Sequence, residues 1–213
     1  IEIQKYAFRK YKIKTVENKH THLVPEELEQ LERLSLTGKY MKLQKSLDAF
    51  LFCCYAGMRY SDFTNLSKKN IVDINQETWL IYKSVKTGTE VRLPLYLLFA
   101  GKGIVILNKY RNNLEVFFRL RDNSNINKDL IIIAKLAGLS KKISFHTARH
   151  TNATLLIYNG VNITTVQKLL GHKSVKTTQV YTNIMDMTIV HDLEKMKQAT
   201  LGIKKKTDNS FNK

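Results

Sequence analysis

Residues 146–151 read His146-Thr147-Ala148-Arg149-His150-Thr151, and they open an apolar stretch that continues to Asn159-Gly160. The run predicts a helix over 145–158, because Asn-Gly is a helix-stopping pair. His146 and Arg149 are three residues apart, so one helical turn puts both on the same face. A second apolar run predicts a helix over 163–170, ended by Gly171, and it leads into Gly171-His172-Lys173-Ser174 and then Thr177-Thr178-Gln179-Val180-Tyr181. A further helix is expected over 175–184.

On the N-terminal side, Val24-Pro25-Glu26-Glu27 marks a helix start. Proline suits the first helical position, and acidic residues suit the positive end of the helix dipole. An apolar helix is expected over 40–57, stopped at Gly57. It leads into Ala56-Gly57-Met58-Arg59-Tyr60-Ser61-Asp62, where Ser61 is the expected cap of a short helix ending at Leu66. The character then changes. Residues 70–74, 79–83 and 90–95 are short β-prone runs, and Lys86-Thr87-Gly88 lies between the last two as a hairpin signal. Val91-Arg92-Leu93-Pro94-Leu95 closes this region. Helices near 104–120 and 127–137 complete the interior. The fold class expected is therefore mainly α with one small antiparallel β-sheet (α+β).

The ends have a different composition. Residues 1–22 carry Lys5, Arg9, Lys10, Lys12, Lys14 and Lys19 with little apolar periodicity, and read as a basic arm with a short strand around Tyr6–Ile13. The main folded domain is expected over 23–185. A helix over 186–200 presents Ile189, Val190, Leu193 and Met196, placed to dock either on its own domain or on a neighbouring copy, and a basic tail runs to 213. The first residue is Ile1, so a fragment of a longer chain lacking an N-terminal domain is expected.

The charge balance narrows the partner. Thirty-five basic against eighteen acidic residues leave +17, a surplus that draws the molecule to polyanions. No amphipathic basic helix of the membrane-surface kind is evident, and no apolar run reaches the roughly 18 residues a membrane span needs. No secretory signal is seen. The adjacent Cys53 and Cys54 sit inside an apolar run and lack the spacing of a zinc or redox site, so they read as core residues of a reduced, cytoplasmic protein. Gly101-Lys102-Gly103 lacks the spacing of a nucleotide-binding loop, and no carboxylate stands at metalloprotease spacing from a histidine. No metal or cofactor is expected. For the hydroxyls of Ser61, Thr147 and Thr151 capping roles are expected.

Taken together, these groups resemble the tyrosine recombinase, or phage integrase, family over about residues 20–190. The pattern is an arginine after a helix-ending glycine, a lysine on a β-hairpin, His-x-x-Arg, a Gly-His turn and a C-terminal tyrosine. The resemblance implies the family's catalytic-domain fold and a site-specific recombinase that cuts and rejoins DNA through a 3′-phosphotyrosyl link, without metal or ATP, in the service of a mobile element. It further implies double-stranded DNA and other copies of the chain as partners, assembled as a tetramer around a Holliday junction. A separate N-terminal DNA clamp and a prokaryotic, nucleoid-associated setting belong to the same expectation.

Under that resemblance Tyr181 is the nucleophile, and Arg59 and Arg149 clamp the phosphate through paired hydrogen bonds. His172 donates a further hydrogen bond, His146 accepts the phenol proton, and Lys86 protonates the departing 5′ oxygen. Asp62 holds Arg59, and His150 is structural support. Only about one phenol in a thousand is ionised at pH 7, a deficit of about 4 kcal/mol that cations and a proton acceptor must supply.

Singly, each residue has a plainer reading. Arg59 suits a helix-end surface charge, Lys86 a solvated turn, His146 and His150 caps or core positions, His172 a helix junction, and Tyr181 packing as one of ten tyrosines. Two rival functions stand beside the recombinase: a type IB topoisomerase using the same tyrosine chemistry, and an inactive DNA-binding module of the same fold.

Overall fold

The computed structural model describes residues 21–182 and the single position Lys197. The expected strand at Tyr6–Ile13, most of the basic arm, the helix at 186–200 and the tail lie outside the described residues.

Two helices form the axis of the domain. α2 (Gln44–Ala56) is buried at every position from Ser46 to Ala56. α7 (Phe145–Tyr158) is buried at every position from Thr147 to Ile157. A helix that is apolar nearly all round belongs in the middle of a core rather than on its surface. The two pack against each other more extensively than any other helix pair. Asn152 of α7 donates to the Cys54 carbonyl of α2 at 2.9 Å, and Arg149 donates to the Gly57 carbonyl at 2.7 Å. These polar groups therefore have partners, which keeps their burial from being costly.

The remaining elements wrap this pair: α1 (Pro25–Glu32), α3 (Tyr60–Thr64), α4 (Lys102–Lys109), α5 (Leu114–Phe118), α6 (Asn123–Leu136), α8 (Ile163–Leu170) and α9 (Lys176–Gln179). A three-stranded antiparallel sheet, in the order β1 (Ile71–Ile74), β2 (Glu77–Lys83), β3 (Glu90–Pro94), covers one flank. In its register Leu80 faces Leu93 and Tyr82 faces Val91, which turns those four side chains into the core. The fold class read from the sequence is the one observed.

Several boundaries differ from the sequence reading, each for a local reason. The expected helix over 104–120 is two, α4 and α5. The break falls at 110–113, where the Tyr110 hydroxyl is drawn to buried Asp48 at 2.7 Å and Asn113 caps the next helix by accepting from the Val116 N–H. Arg59, and not Ser61, occupies the position before α3, with extended backbone that aims its side chain away from the helix axis. The helix expected over 175–184 is limited to Lys176–Gln179 and followed by a turn. Residues 38–43, expected partly as helix, form a 3-10 turn ahead of α2.

Gly57 and Gly171 end α2 and α8 in the left-handed conformation, with φ of +66° and +63°. Space demands glycine at both. A Cβ on Gly57 lies 2.5 Å from Asn152 Oδ1 and 2.8 Å from Leu170 Cδ2, and one on Gly171 lies 2.6 Å from Val91 Cγ2. Gly38 also has positive φ, but a Cβ there meets nothing within 4 Å. Gly57→Ala should therefore lower unfolding stability by about 2–4 kcal/mol, combining strain with overpacking, against about 1 kcal/mol for Gly38→Ala. Equal losses for the two variants in urea titrations would show that the close approach at Gly57 carries no energy.

Candidate active site

The site lies where the C-terminal ends of α2 and α8 meet the first turns of α7. Its centre is the Arg149 guanidinium, 1% exposed. Nη1 donates to the Gly57 carbonyl at 2.7 Å, and Nη2 donates to the Leu170 carbonyl at 2.6 Å. Both carbonyls belong to helix C-terminal ends, where unpaired carbonyls and the helix dipole supply negative potential. Burial, and next the nearby positive charge of Arg59, push the Arg149 guanidinium down to about 10. It remains a cation at neutral pH.

Arg59 closes the same space from the start of α3. Its Nη1 lies 3.5 Å from Asp62 Oδ2 and donates to Ser84 Oγ at 3.3 Å. Asp62 is itself buried. It accepts from Ser84 Oγ and, at 2.8 Å, from the Val85 N–H. One carboxylate thus holds both the arginine and the base of the β2–β3 hairpin. Exposed Lys86 follows Val85 directly, and the turn is closed by the Ser84 N–H donating to the Thr89 carbonyl and the Gly88 N–H donating to the Ser84 carbonyl. The hairpin tip is fixed from its other side by Thr87 Oγ1, which donates to the Gly171 carbonyl at 3.1 Å. Lys86 is in this way held beside the turn that carries His172.

His172 is buried. Its Nδ1 pairs with Thr178 Oγ1 at 2.9 Å, and its carbonyl accepts from Gln167 Nε2. Desolvation first, then the charges of Arg149, Arg59 and His146, hold its imidazole down to about 3. It is neutral at physiological pH, and when the threonine hydroxyl donates to Nδ1 the ring proton sits on Nε2 as a hydrogen-bond donor.

Tyr181 is 3% exposed and follows α9 by one turn. Burial raises its phenol above the usual range, while Arg149 and Arg59 pull it down. Its hydroxyl lies 3.0 Å from His150 Nδ1. Here the geometry differs from the sequence reading. His146, expected to face the phenol as acceptor, is exposed one turn earlier on α7. Its ring meets that of His150 edge-on at 4.4 Å, and His150, expected only to support the site, makes the contact with Tyr181.

Arg59, Asp62, Arg149, His150, His172 and Tyr181 are therefore gathered in one cluster, with His146 and Lys86 on its open rim. Ser84, Thr87 and Thr178 belong to the same network and carry no sequence signal, since each acts on a partner brought near only by folding. Among the described residues no group of His, Cys, Asp and Glu side chains has the arrangement of a metal site. In chemical terms, the arrangement offers an oxyanion two guanidinium groups and an imidazole beside a phenol oxygen. The two cations face a single carboxylate, leaving an uncompensated positive charge where an anion would sit.

The depressed imidazole of His172 links this site to pH. Between its ordinary value of 6.5 and about 3 the unfolded chain binds a proton that the native state excludes. Its contribution to stability is complete above that window and lost as pH falls through it. His172→Asn should flatten the stability profile by up to about 1.4 kcal/mol per pH unit in the middle of the window, measured by chemical denaturation of both proteins. Parallel profiles would mean that His172 is not held neutral.

The pattern of the phage integrase family matches residues 22–187. A tyrosine recombinase of Thermosipho africanus is 32% identical over 174 residues, which is 76% of this chain and 59% of the relative. Among solved structures, a XerH site-specific recombinase bound to palindromic difH substrate in a post-cleavage complex superposes with a TM-score of 0.63 at 22% identity, over 84% of this chain and 54% of that one. A lambda integrase tetramer bound to a Holliday junction does so with a TM-score of 0.60 at 20% identity, over 76% of this chain and 47% of that one. The chain spans less than two thirds of the length of each of these proteins. With the family pattern extending over most of its sequence and its fold shared with the solved recombinases, this chain belongs to the phage integrase family.

Proposed function

We propose that this chain is the catalytic domain of a site-specific DNA recombinase that uses Tyr181 as nucleophile, serving the integration or excision of a mobile element. The observation that carries the reading is the gathering of Arg59, Arg149, His172 and Tyr181, far apart in sequence, so closely that the charges of both arginines act on the phenol and on the imidazole.

In this reading the two arginines and His172 bind the non-bridging oxygens of the scissile phosphate, where negative charge grows during attack. His146, on the rim, faces the same phosphate. The phenol oxygen of Tyr181 forms a bond to phosphorus, the bond from phosphorus to the 5′ oxygen breaks, and Lys86 gives that oxygen a proton. The 3′-phosphotyrosyl link keeps the energy of the broken bond, so a 5′ hydroxyl reverses the step without ATP. Asp62 orients Arg59 and, through Val85, the hairpin of Lys86. The surplus of +17 supports duplex DNA as substrate. Residues 23–185 are read as the catalytic unit, flanked by a basic segment at 1–22 and a C-terminal segment at 186–213. The XerH and lambda integrase complexes support assembly of several copies on DNA, and a DNA-clamping domain belongs to the same reading as a further partner. A prokaryotic nucleoid is the matching setting. No described helix is long and apolar enough to cross a membrane.

The test is a nicked suicide duplex carrying the recombination site. The wild-type chain should form a denaturation-resistant adduct mapping to Tyr181. Tyr181→Phe should bind the duplex and form none; an adduct in that variant would end the nucleophile assignment. Lys86→Ala should slow cleavage by about 100-fold or more, and a substrate with a bridging 5′ sulfur, which leaves without a proton, should restore the rate. Absence of rescue would remove Lys86 from the acid role.

A further inference from the structure

We propose that Tyr82 is a positioning residue for the phosphate-binding arginines, its hydroxyl donating to Asp62 once a bound phosphate draws Arg59 off that carboxylate. The inference rests on the reading of Arg59 as a phosphate ligand beside the nucleophile Tyr181.

Tyr82 is buried on the core-facing side of β2, in register with Val91 of β3. Its hydroxyl has no hydrogen-bond partner among the described residues. A buried hydroxyl in that condition weakens the fold, and phenylalanine would fill the same space without the penalty. The place of this idle donor is specific. Side chains alternate along an extended chain, so Tyr82 shares its face with Ser84, two residues on. Ser84 Oγ accepts from Arg59 and donates to Asp62, both at 3.3 Å. Across the sheet, Val91 lies against Gly171, whose carbonyl holds the hairpin tip. Burial, and next the charge of Asp62, raise the Tyr82 phenol above the usual range, and Arg149 and Arg59 pull it down. The hydroxyl thus lies behind the cluster, on the protein side of the two cations.

Asp62 has an acceptor site to spare. A carboxylate offers about four. Oδ1 accepts from the Val85 N–H at 2.8 Å, Oδ2 faces Arg59 at 3.5 Å, and the Ser84 hydroxyl is shared between the two oxygens. When Arg59 turns to a phosphate, Oδ2 keeps only the shared serine. A buried carboxylate that loses its cation needs another donor. Tyr82 supplies one and keeps its own proton throughout. Asp62 then stays ionised and in place, and so does its bond to Val85, which anchors the hairpin of Lys86.

Tyr82→Phe keeps the ring and removes only the hydroxyl. In urea titrations of the free protein its unfolding midpoint should be no lower than that of wild type, since no contact is lost. In single-turnover adduct formation on the suicide duplex at saturating DNA, the rate should fall by about 10-fold, as loss of one hydrogen bond to a charged group implies, with DNA affinity within about twofold. Asp62→Asn identifies the partner. It keeps an oxygen for Val85 and puts an amide donor in place of Oδ2, so in that background Tyr82→Phe should change the rate by less than about twofold. A fall of less than about threefold in the otherwise wild-type protein would overturn the proposal. So would a midpoint that drops along with the rate, which would make the hydroxyl part of the resting fold. Equal effects in both backgrounds would overturn it too, by separating Tyr82 from Asp62. A wild-type chain that forms no adduct on the same duplex would instead end the reading of the site, and this inference with it.

Discussion

A single buried cation joins the parts of this domain. Arg149 projects from the central helix α7 and is held by carbonyls at the ends of two others, Gly57 after α2 and Leu170 in α8. An unpaired charge in a protein interior is costly, and here no carboxylate bonds it directly. Two charge-assisted hydrogen bonds, each worth about 1.5–3 kcal/mol, and the negative ends of two helices offset that cost. The arrangement demands that both helices end in left-handed glycines packed too closely for any side chain, which is why Gly57 and Gly171 belong to the site as much as the charged residues do. The compensation comes from fixed dipoles rather than a countercharge, so the guanidinium is immobilised and its positive field is retained. The proposed reaction, which binds a phosphate and then lets it go, would use that combination.

Asp62 performs the complementary task. It neutralises part of Arg59, and by accepting from Ser84 and Val85 it joins α3 to the β2–β3 hairpin. Thr87 adds a second tie from the hairpin to the Gly171 turn. The hairpin lysine is therefore exposed at its tip yet anchored at two points. In the proposed function such a side chain would reach a strand of DNA lying over the site while its backbone stays in register with the arginines. Packing, charge and position are here consequences of the same few hydrogen bonds.

Much of this was legible in the linear sequence. The helix of Arg149, the one ended by Gly171 and the hairpin follow from periodicity, glycine positions and turn chemistry, and the pairing of Arg59 with Asp62 from the family resemblance. What stayed hidden has a common physical character. Thr178 on His172, Thr87 on the Gly171 carbonyl and Ser84 between Arg59 and Asp62 are contacts created by tertiary approach, and serine and threonine are too frequent in sequence to announce them. Which of His146 and His150 meets Tyr181 is subtler. Both lie on α7, one turn apart and so on nearly the same face, and spacing alone does not say which faces Tyr181 and which faces solvent. The approach of the segment after α9 decides it. The broken helix at 110–113 similarly reflects a buried Asp48 that binds Tyr110 and Lys109 from another element.

The state of Tyr181 follows from two opposed effects. Burial favours the neutral phenol, the two arginines favour the phenolate, and burial wins in the free protein. In the proposed reaction a phosphodiester entering the site would bring a negative charge that takes up part of the arginines' field, so substrate binding would not itself ionise the tyrosine. The proton has to leave as the bond to phosphorus forms, when the charge of the phenolate passes onto oxygens that the guanidiniums already hold. A tyrosine that stays protonated until a phosphate is in position also remains a poor nucleophile toward everything else, and the site gains selectivity from the burial that opposes its chemistry.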